Sequence, residues 1–178
     1  SADGFISRST DEPPQAWASP EEQAHFFADV EAADWAIMGR NTHEAADRPD
    51  RRRIIFSRKT AGWMRATQLW LDPATTAPAQ LASLVSHVQP LENGLILGGT
   101  GVHDWFLKHR AIDRVHLTIE PINFGQGLPV FSDQTTHDPL NLFKSRGFSV
   151  YSDDRLNSAG TRYIVLLPLD PPSGSGSS

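Results

Sequence analysis

Cysteine is absent from this chain of 178 residues. That excludes a disulfide framework, a thiolate nucleophile and a zinc–thiolate centre. Long apolar runs are missing as well. No stretch approaches the ~20 residues that a bilayer-spanning helix needs, and no basic segment followed by an apolar one opens the sequence. Positive charge is not in excess: 16 Lys and Arg against 21 Asp and Glu leave a formal charge of −5. A nucleic-acid or anionic-membrane partner is therefore not expected. The histidines follow neither H-x-x-x-H nor H-E-x-x-H spacing, so no metal site is expected. A G-x-S-x-G nucleophile elbow and internal repeats are also lacking. These absences predict a cytoplasmic α/β domain; a monomer or homodimer is expected.

What is present fits one ordinary globular domain. At roughly 150 residues per domain, the length predicts a single unit over residues 1–169. Residues 170–178 end in a Gly/Ser run with nothing to bury, which predicts a disordered tail. Ser1-Ala2-Asp3-Gly4 has the composition of a loop, with no strand before it. Between these ends, helical and strand patterns alternate. Ser19-Pro20-Glu21-Glu22 predicts a helix start, with Ser at the N-cap, Pro at the first position and Glu at the third; Phe26, Phe27 and Val30 would form its apolar face. Short strands are predicted at 34–38, 53–56, 68–71 and 95–97. A helix opening at Pro78 carries Leu81, Leu84, Val85 and Val88 at i, i+3, i+4 and i+7, and another starts near Val102. A strand at 114–120 is followed by an antiparallel pair at 148–151 and 161–167. Trp17, Trp35, Trp63, Trp70 and Trp105 are scattered, as core residues would be. The pattern predicts an α/β fold with a mixed, mostly parallel sheet and antiparallel C-terminal strands.

The informative residues stand just after three strands. Gly39-Arg40-Asn41-Thr42 follows the first, Ser57-Arg58 the second, and Gly98-Gly99-Thr100-Gly101 the fourth. Glycine lets backbone approach an anion closely, and a following helix presents unpaired N–H groups at its positive end. Arginine supplies a fork that matches phosphate oxygens. No segment is a G-x-G-x-x-G or Walker loop, but their occurrence together predicts a bound dinucleotide. Arg51-Arg52-Arg53 is read as a solvated strand entrance.

With these segments in view, the chain resembles the dihydrofolate reductase superfamily. Met38-Gly39-Arg40-Asn41-Thr42-His43-Glu44 is similar to that family's M-G-R-x-T-x-E segment, Ile96-Leu97-Gly98-Gly99 to its I-G-G segment, and Trp17-Ala18-Ser19-Pro20-Glu21-Glu22 to its W-x-x-P-x-[DE] segment. Ser1-Ala2-Asp3-Gly4-Phe5-Ile6 and residues 121–131 look more like the riboflavin-pathway reductase branch. The likeness runs from residue 1 to about 131, and more loosely to 169. It implies a three-layer α/β/α fold and NADPH as cofactor. Arg40, Asn41, Thr42, Ser57 and Arg58 would contact the phosphates, and Gly98, Gly99, Thr100, Gly101, Val102 and His103 would lie on the nicotinamide side. It implies Glu22 as the acid that anchors a pterin, Thr118 as its support, and Asp3, Trp17, Phe26 and Arg51 on the substrate side. The family's first central strand, before the Asp3–Gly4 loop, is missing from the sequence. A truncated sequence is expected, with unpaired backbone and a groove where that strand would lie.

Glu22 carries two readings. As the third residue of a capping box its carboxylate would return to the Ser19 N–H. As a pocket acid it would hold the substrate by charge-assisted hydrogen bonds and assist protonation of an imine nitrogen while hydride adds to the carbon. The leading expectation is reduction of 7,8-dihydrofolate to tetrahydrofolate. The alternatives are a riboflavin-pathway reductase of a ribosylaminopyrimidine phosphate, a broad reductase of small imines or ketones, and a silent NADPH-binding module.

Overall fold

The computed structural model describes residues 1–10 and 12–170, so the expected tail, all but Asp170, lies outside the described residues. The described chain divides into two compact units, one formed by residues 1–25 and 110 onward, the other by 26–109.

The inner unit is built on a five-stranded sheet of order β4-β5-β3-β2-β6, comprising β2 (Trp35–Gly39), β3 (Arg53–Phe56), β4 (Gly62–Arg65), β5 (Gln68–Leu71) and β6 (Gly94–Gly98). β5, β3, β2 and β6 run parallel; β4 folds back antiparallel on β5. All four residues of β3 are buried, as expected of a parallel strand covered on both faces. Helices α2 (Arg40–Ala45), α3 (Pro78–Val85) and α4 (Thr100–Lys108) supply the cover. The core holds Trp35, Ile54, Ile55, Leu81, Val85 and Phe106, and the Trp35 indole N–H donates to the Gln89 carbonyl at 2.9 Å.

The other unit holds a three-stranded antiparallel sheet, β7 (Val115–Ile119), β10 (Arg162–Pro168) and β9 (Phe148–Arg155), in the order β7-β10-β9. Helix α5 (Pro139–Lys144) packs on β9 and is capped by Asp138, whose carboxylate accepts the Leu140 and Asn141 amides. A two-stranded ribbon joins β1 (Phe5–Ser7) to β8 (Leu128–Pro129). Helix α1 (Pro20–Ala32) belongs in part to each unit. Among the described residues, β4 and β6 form the edges of the five-stranded sheet, and β7 and β9 those of the three-stranded one. No helix among them is long and apolar enough to cross a membrane.

The mixed α/β architecture with a mostly parallel sheet is the one the alternation of elements predicts. Several details differ. Helix α1 buries none of its residues, and Phe26 and Phe27, 38% and 53% exposed, pack edge to face on each other. The predicted apolar face of α3 is half right: Leu81 and Val85 are buried, Leu84 is exposed, and Val88 lies past the helix end. Of the five tryptophans only Trp35 is fully buried, because the others pair at the surface with neighbouring rings or carbonyls. Helix α4 begins at Thr100, two residues before its predicted start, because Gly99 serves as its N-cap. Strand β4, the β1–β8 ribbon and α5 were not expected. The first is an exposed edge and the ribbon is too short for a period to register, but α5 had a readable signal in Asp138-Pro139.

The β1–β8 ribbon depends on Gly127. A Cβ there would be driven into the Ser7 carbonyl oxygen and would touch Phe5 Cβ at 3.2 Å. Gly127→Ala is therefore expected to cost about 1–3 kcal/mol, the usual penalty of overpacking. Urea unfolding reads the loss, and faster amide exchange at Ser7 locates it.

Candidate active site

In the inner unit, parallel pairing aligns the three turns singled out in the sequence. Gly39 is in register with Phe56 of β3, and Met38 with Gly98 of β6. Gly39, Ser57 and Gly98–Gly99 therefore leave the carboxyl ends of three adjacent strands, where open parallel sheets take their ligands. Gly98 has φ +85°, and a Cβ on it would come within 2.8 Å of the His103 ring, which packs over this turn. A side chain at Gly39 would meet Val102 at 3.5 Å, whereas Gly99 and Gly101 face open space. The N-cap of α4, Gly99, offers no side chain to the helix amides; its carbonyl accepts the Val102 and His103 N–H groups at 2.9 and 3.1 Å. Thr100 is half-buried at the start of that helix.

Arg40 opens α2, exposed, with Glu44 3.8 Å away. Asn41 beside it is exposed and Thr42 half-buried. The Ser57 hydroxyl accepts the Lys59 and Thr60 amides at 3.2 Å, which tightens its turn. Arg58 is exposed and has no ion pair among the described residues. Open space over two glycines, an uncapped helix start and two exposed arginines form a cradle that fits a phosphate-bearing dinucleotide.

The second group of expected residues belongs to the other unit. The Asp3 carboxylate accepts the Phe124 and Gly125 amides at 3.1 and 2.6 Å and the Ser1 hydroxyl at 2.6 Å, so it clamps the loop before β8. These bonds favour its charged form and hold its pKa below the ordinary value. Trp17 stands edge-on to Phe124 with ring centres 5.2 Å apart, its indole N–H buried without a partner. Glu22 is half-buried near the start of α1. Its backbone N–H donates to the Ser19 hydroxyl at 3.3 Å, but its carboxylate does not take the Ser19 N–H in return. That amide donates to Glu120 at 2.7 Å. Burial, and next the nearby Glu120, raise the Glu22 pKa. Thr118 is half-buried on β7 and no hydrogen bond joins it to Glu22; the hydroxyl that reaches a carboxylate is Thr161, on Glu120, at 2.7 Å. Glu120 was missed by sequence reasoning, although an acid after an apolar strand, with proline next, was a visible departure from the strand pattern.

The arginine run is not a uniformly solvated entrance. Arg51, Arg52 and Arg53 line a cavity of about 220 Å³ in the inner unit, together with Glu31, Asp50 and Leu97. Arg51 is ion-paired with Glu31, and Arg52 donates to the Asp34 carbonyl at 2.7 Å. Arg53, 7% exposed, is buried and faces His43 Nδ1 at 3.0 Å. Guanidinium only donates, so Nδ1 accepts and the His43 proton sits on Nε2, toward Asp47 at 3.7 Å. Burial and then Arg53 push the His43 pKa down. No group of three or more His, Asp or Glu among the described residues is placed to hold a metal ion.

Comparison with known proteins bears on this geometry. A family model described as the RibD C-terminal domain matches residues 1–154. No curated protein matches the chain. Among solved structures, a putative riboflavin biosynthesis protein from Shewanella sp. PV-4 is similar over 93% of both chains, with 18% identity and a TM-score of 0.66. Acinetobacter baumannii RibD is similar over 96% of this chain and 56% of its own, with 15% identity and a TM-score of 0.70. Dihydrofolate reductase from Enterococcus faecalis, solved with NADP(H) and RAB-propyl, is similar over 94% of this chain and 90% of its own, with 17% identity and a TM-score of 0.60. At these identities the likeness shows the fold, and this chain spans about half the length of the Acinetobacter protein.

The raised pKa of Glu22 has a measurable sign. Between its ordinary value of 4.5 and the folded value, the native state binds more protons than the unfolded chain. Stability is then fully present below 4.5 and declines as pH rises through the folded pKa. Glu22→Gln is expected to be more stable than wild type at neutral pH and equal to it in acid. Denaturant midpoints measured across pH test this, and a variant weaker at neutral pH would contradict it.

Proposed function

Since this chain belongs to the RibD C-terminal domain family, we propose that it is an NADPH-dependent reductase, residues 1–169 acting as one reductase domain, with a ribosylaminopyrimidine phosphate as substrate in preference to dihydrofolate. One observation carries the choice of substrate. The opening around Asp3 and the loop 125–129, the two segments that look like the riboflavin branch, are tied into one device by the Asp3 clamp and the β1–β8 ribbon. The fold and the cradle support the reductase chemistry more broadly.

In this reading Arg40, Asn41, Thr42, Ser57 and Arg58 hold the phosphates, and Gly98 to His103 border the nicotinamide. The arginines favour NADPH over NADH through the extra phosphate. When bound, the cofactor supplies a hydride. The open-chain form of a ribosylamine is an imine: hydride adds to its carbon, a proton adds to its nitrogen, and an amine results. Glu22 gives that proton. Its carboxylate is not spent on capping the helix, and its raised pKa keeps a larger fraction protonated nearer neutral pH. The same acid suits the imine of dihydrofolate, so both substrates enter the test.

NADPH oxidation is to be followed with each substrate. Turnover of the pyrimidine without turnover of dihydrofolate is expected; the reverse would assign the chain to dihydrofolate, and binding without either turnover would make it a silent module. Glu22→Gln is expected to lower kcat by about 10²–10⁴-fold, the range for loss of a general acid. Arg58→Ala is expected to weaken NADPH binding by roughly 10-fold or more, as loss of a charged hydrogen bond does, and to leave NADH binding unchanged. Equal losses for the two cofactors, read by fluorescence titration, would remove Arg58 from the extra phosphate.

A further inference from the structure

Helix α1 begins with half a capping box. Ser19 does its part, its hydroxyl accepting the Glu22 N–H at 3.3 Å. In the complete motif the glutamate at the third position returns its carboxylate to the N-cap amide. Here the Ser19 N–H donates to Glu120 Oε1 at 2.7 Å, a residue 101 positions away in the chain.

Glu120 is held firmly for this task. It is 4% exposed, and its second oxygen accepts the Thr161 hydroxyl at 2.7 Å. Thr161 is wholly buried, and Asn157 fixes it in turn: Asn157 Oδ1 accepts the Thr161 N–H at 3.1 Å, and its amide nitrogen donates to Thr161 Oγ1 at 2.9 Å and to Glu21 at 3.1 Å. The Glu22 carboxylate has no hydrogen-bond partner among the described residues. We infer that Glu120 is a positioning residue for Glu22: by occupying the Ser19 amide it keeps the Glu22 carboxyl from folding back onto the helix and leaves it free to meet substrate. The inference rests on the reading of Glu22 as proton donor.

A buried carboxylate next to a half-buried one also disfavours a second negative charge. After desolvation, Glu120 is the charged group that pushes the Glu22 pKa up. The other charged groups around this turn are Glu21, drawn to Asn157, and the Ser1 amino group, which acts on Glu120 and Asp3. One side chain thereby vacates the acid and biases it toward the protonated form that a donor needs.

Carboxyl-carbon NMR of the ligand-free protein, labelled at glutamate, tests this beside a pH–rate profile. In wild type, Glu22 is expected to titrate above the ordinary 4.5. Glu120→Gln keeps an oxygen for the Ser19 amide but removes the charge. The Glu22 titration is then expected to move to lower pH, and the alkaline limb of kcat with it, while the NADPH Kd stays constant. Glu120→Ala frees the amide, so Glu22 is expected to close the capping box, titrate below its ordinary value and lose kcat at every pH; the glutamine variant restores part of that loss. A Glu22 titration unmoved by Glu120→Gln overturns the inference. If neither variant folds, the wild-type titration decides, and a Glu22 value at or below the ordinary one overturns it. Failure of the proton-donor reading is distinguishable: the titration moves as described, yet Glu22→Gln turns over substrate as wild type does.

Discussion

Parallel hydrogen bonding among β3, β2 and β6 is the constraint on which the inner unit depends. Parallel strands leave the sheet in one direction, so every turn at a carboxyl end emerges on the same side. Register then sets the heights, with Gly39 level with Phe56 and Met38 level with Gly98. Three segments separated by long stretches of chain become one row of glycine, hydroxyl and guanidinium groups. The buried β3 helps to fix that row, because all four of its residues are packed and a slip by one residue would require both faces to repack.

In the antiparallel unit the start of helix α1 is satisfied from a distance. A glutamate at the third helical position has a ready partner in the N-cap amide, and satisfying that amide is worth as much to the fold as to any ligand. A buried carboxylate from the end of β7 takes it instead. The substitution satisfies the backbone and leaves Glu22 half-buried beside a second negative group. With its pKa raised, Glu22 contributes less stability at neutral pH than in acid.

The turns at the carboxyl ends of β2, β3 and β6 were legible because each is local: a strand, a glycine or serine, then an arginine or the next helix. The strands β2, β3 and β5 were legible for the same reason, since each is a largely apolar run too short for a helix and bounded by turn residues. Helix α1 was legible in its start and spacing, not in its cover. Phe26, Phe27 and Val30 have helical spacing, yet the helix buries no residue, because spacing reports a shared face and says nothing about what covers it. Arg53 shows the converse. A third arginine in a row looks solvated, but it is the first residue of a strand buried on both sides and turns to His43.

Taken by itself, the order of residues determined where elements begin and which turns carry anion-binding groups. Caps, glycines and apolar periods act within a few residues, so their information is contained in the chain locally. It left Glu22 with two readings, a capping box closed on the Ser19 amide, which the local pattern favours, and a pocket acid, which the resemblance favours. Tertiary structure set aside the closed capping box by bringing Glu120, 101 positions from Ser19, to that amide at 2.7 Å. No local rule reaches so far, because a hydrogen bond between distant segments depends on the packing that closes the intervening chain.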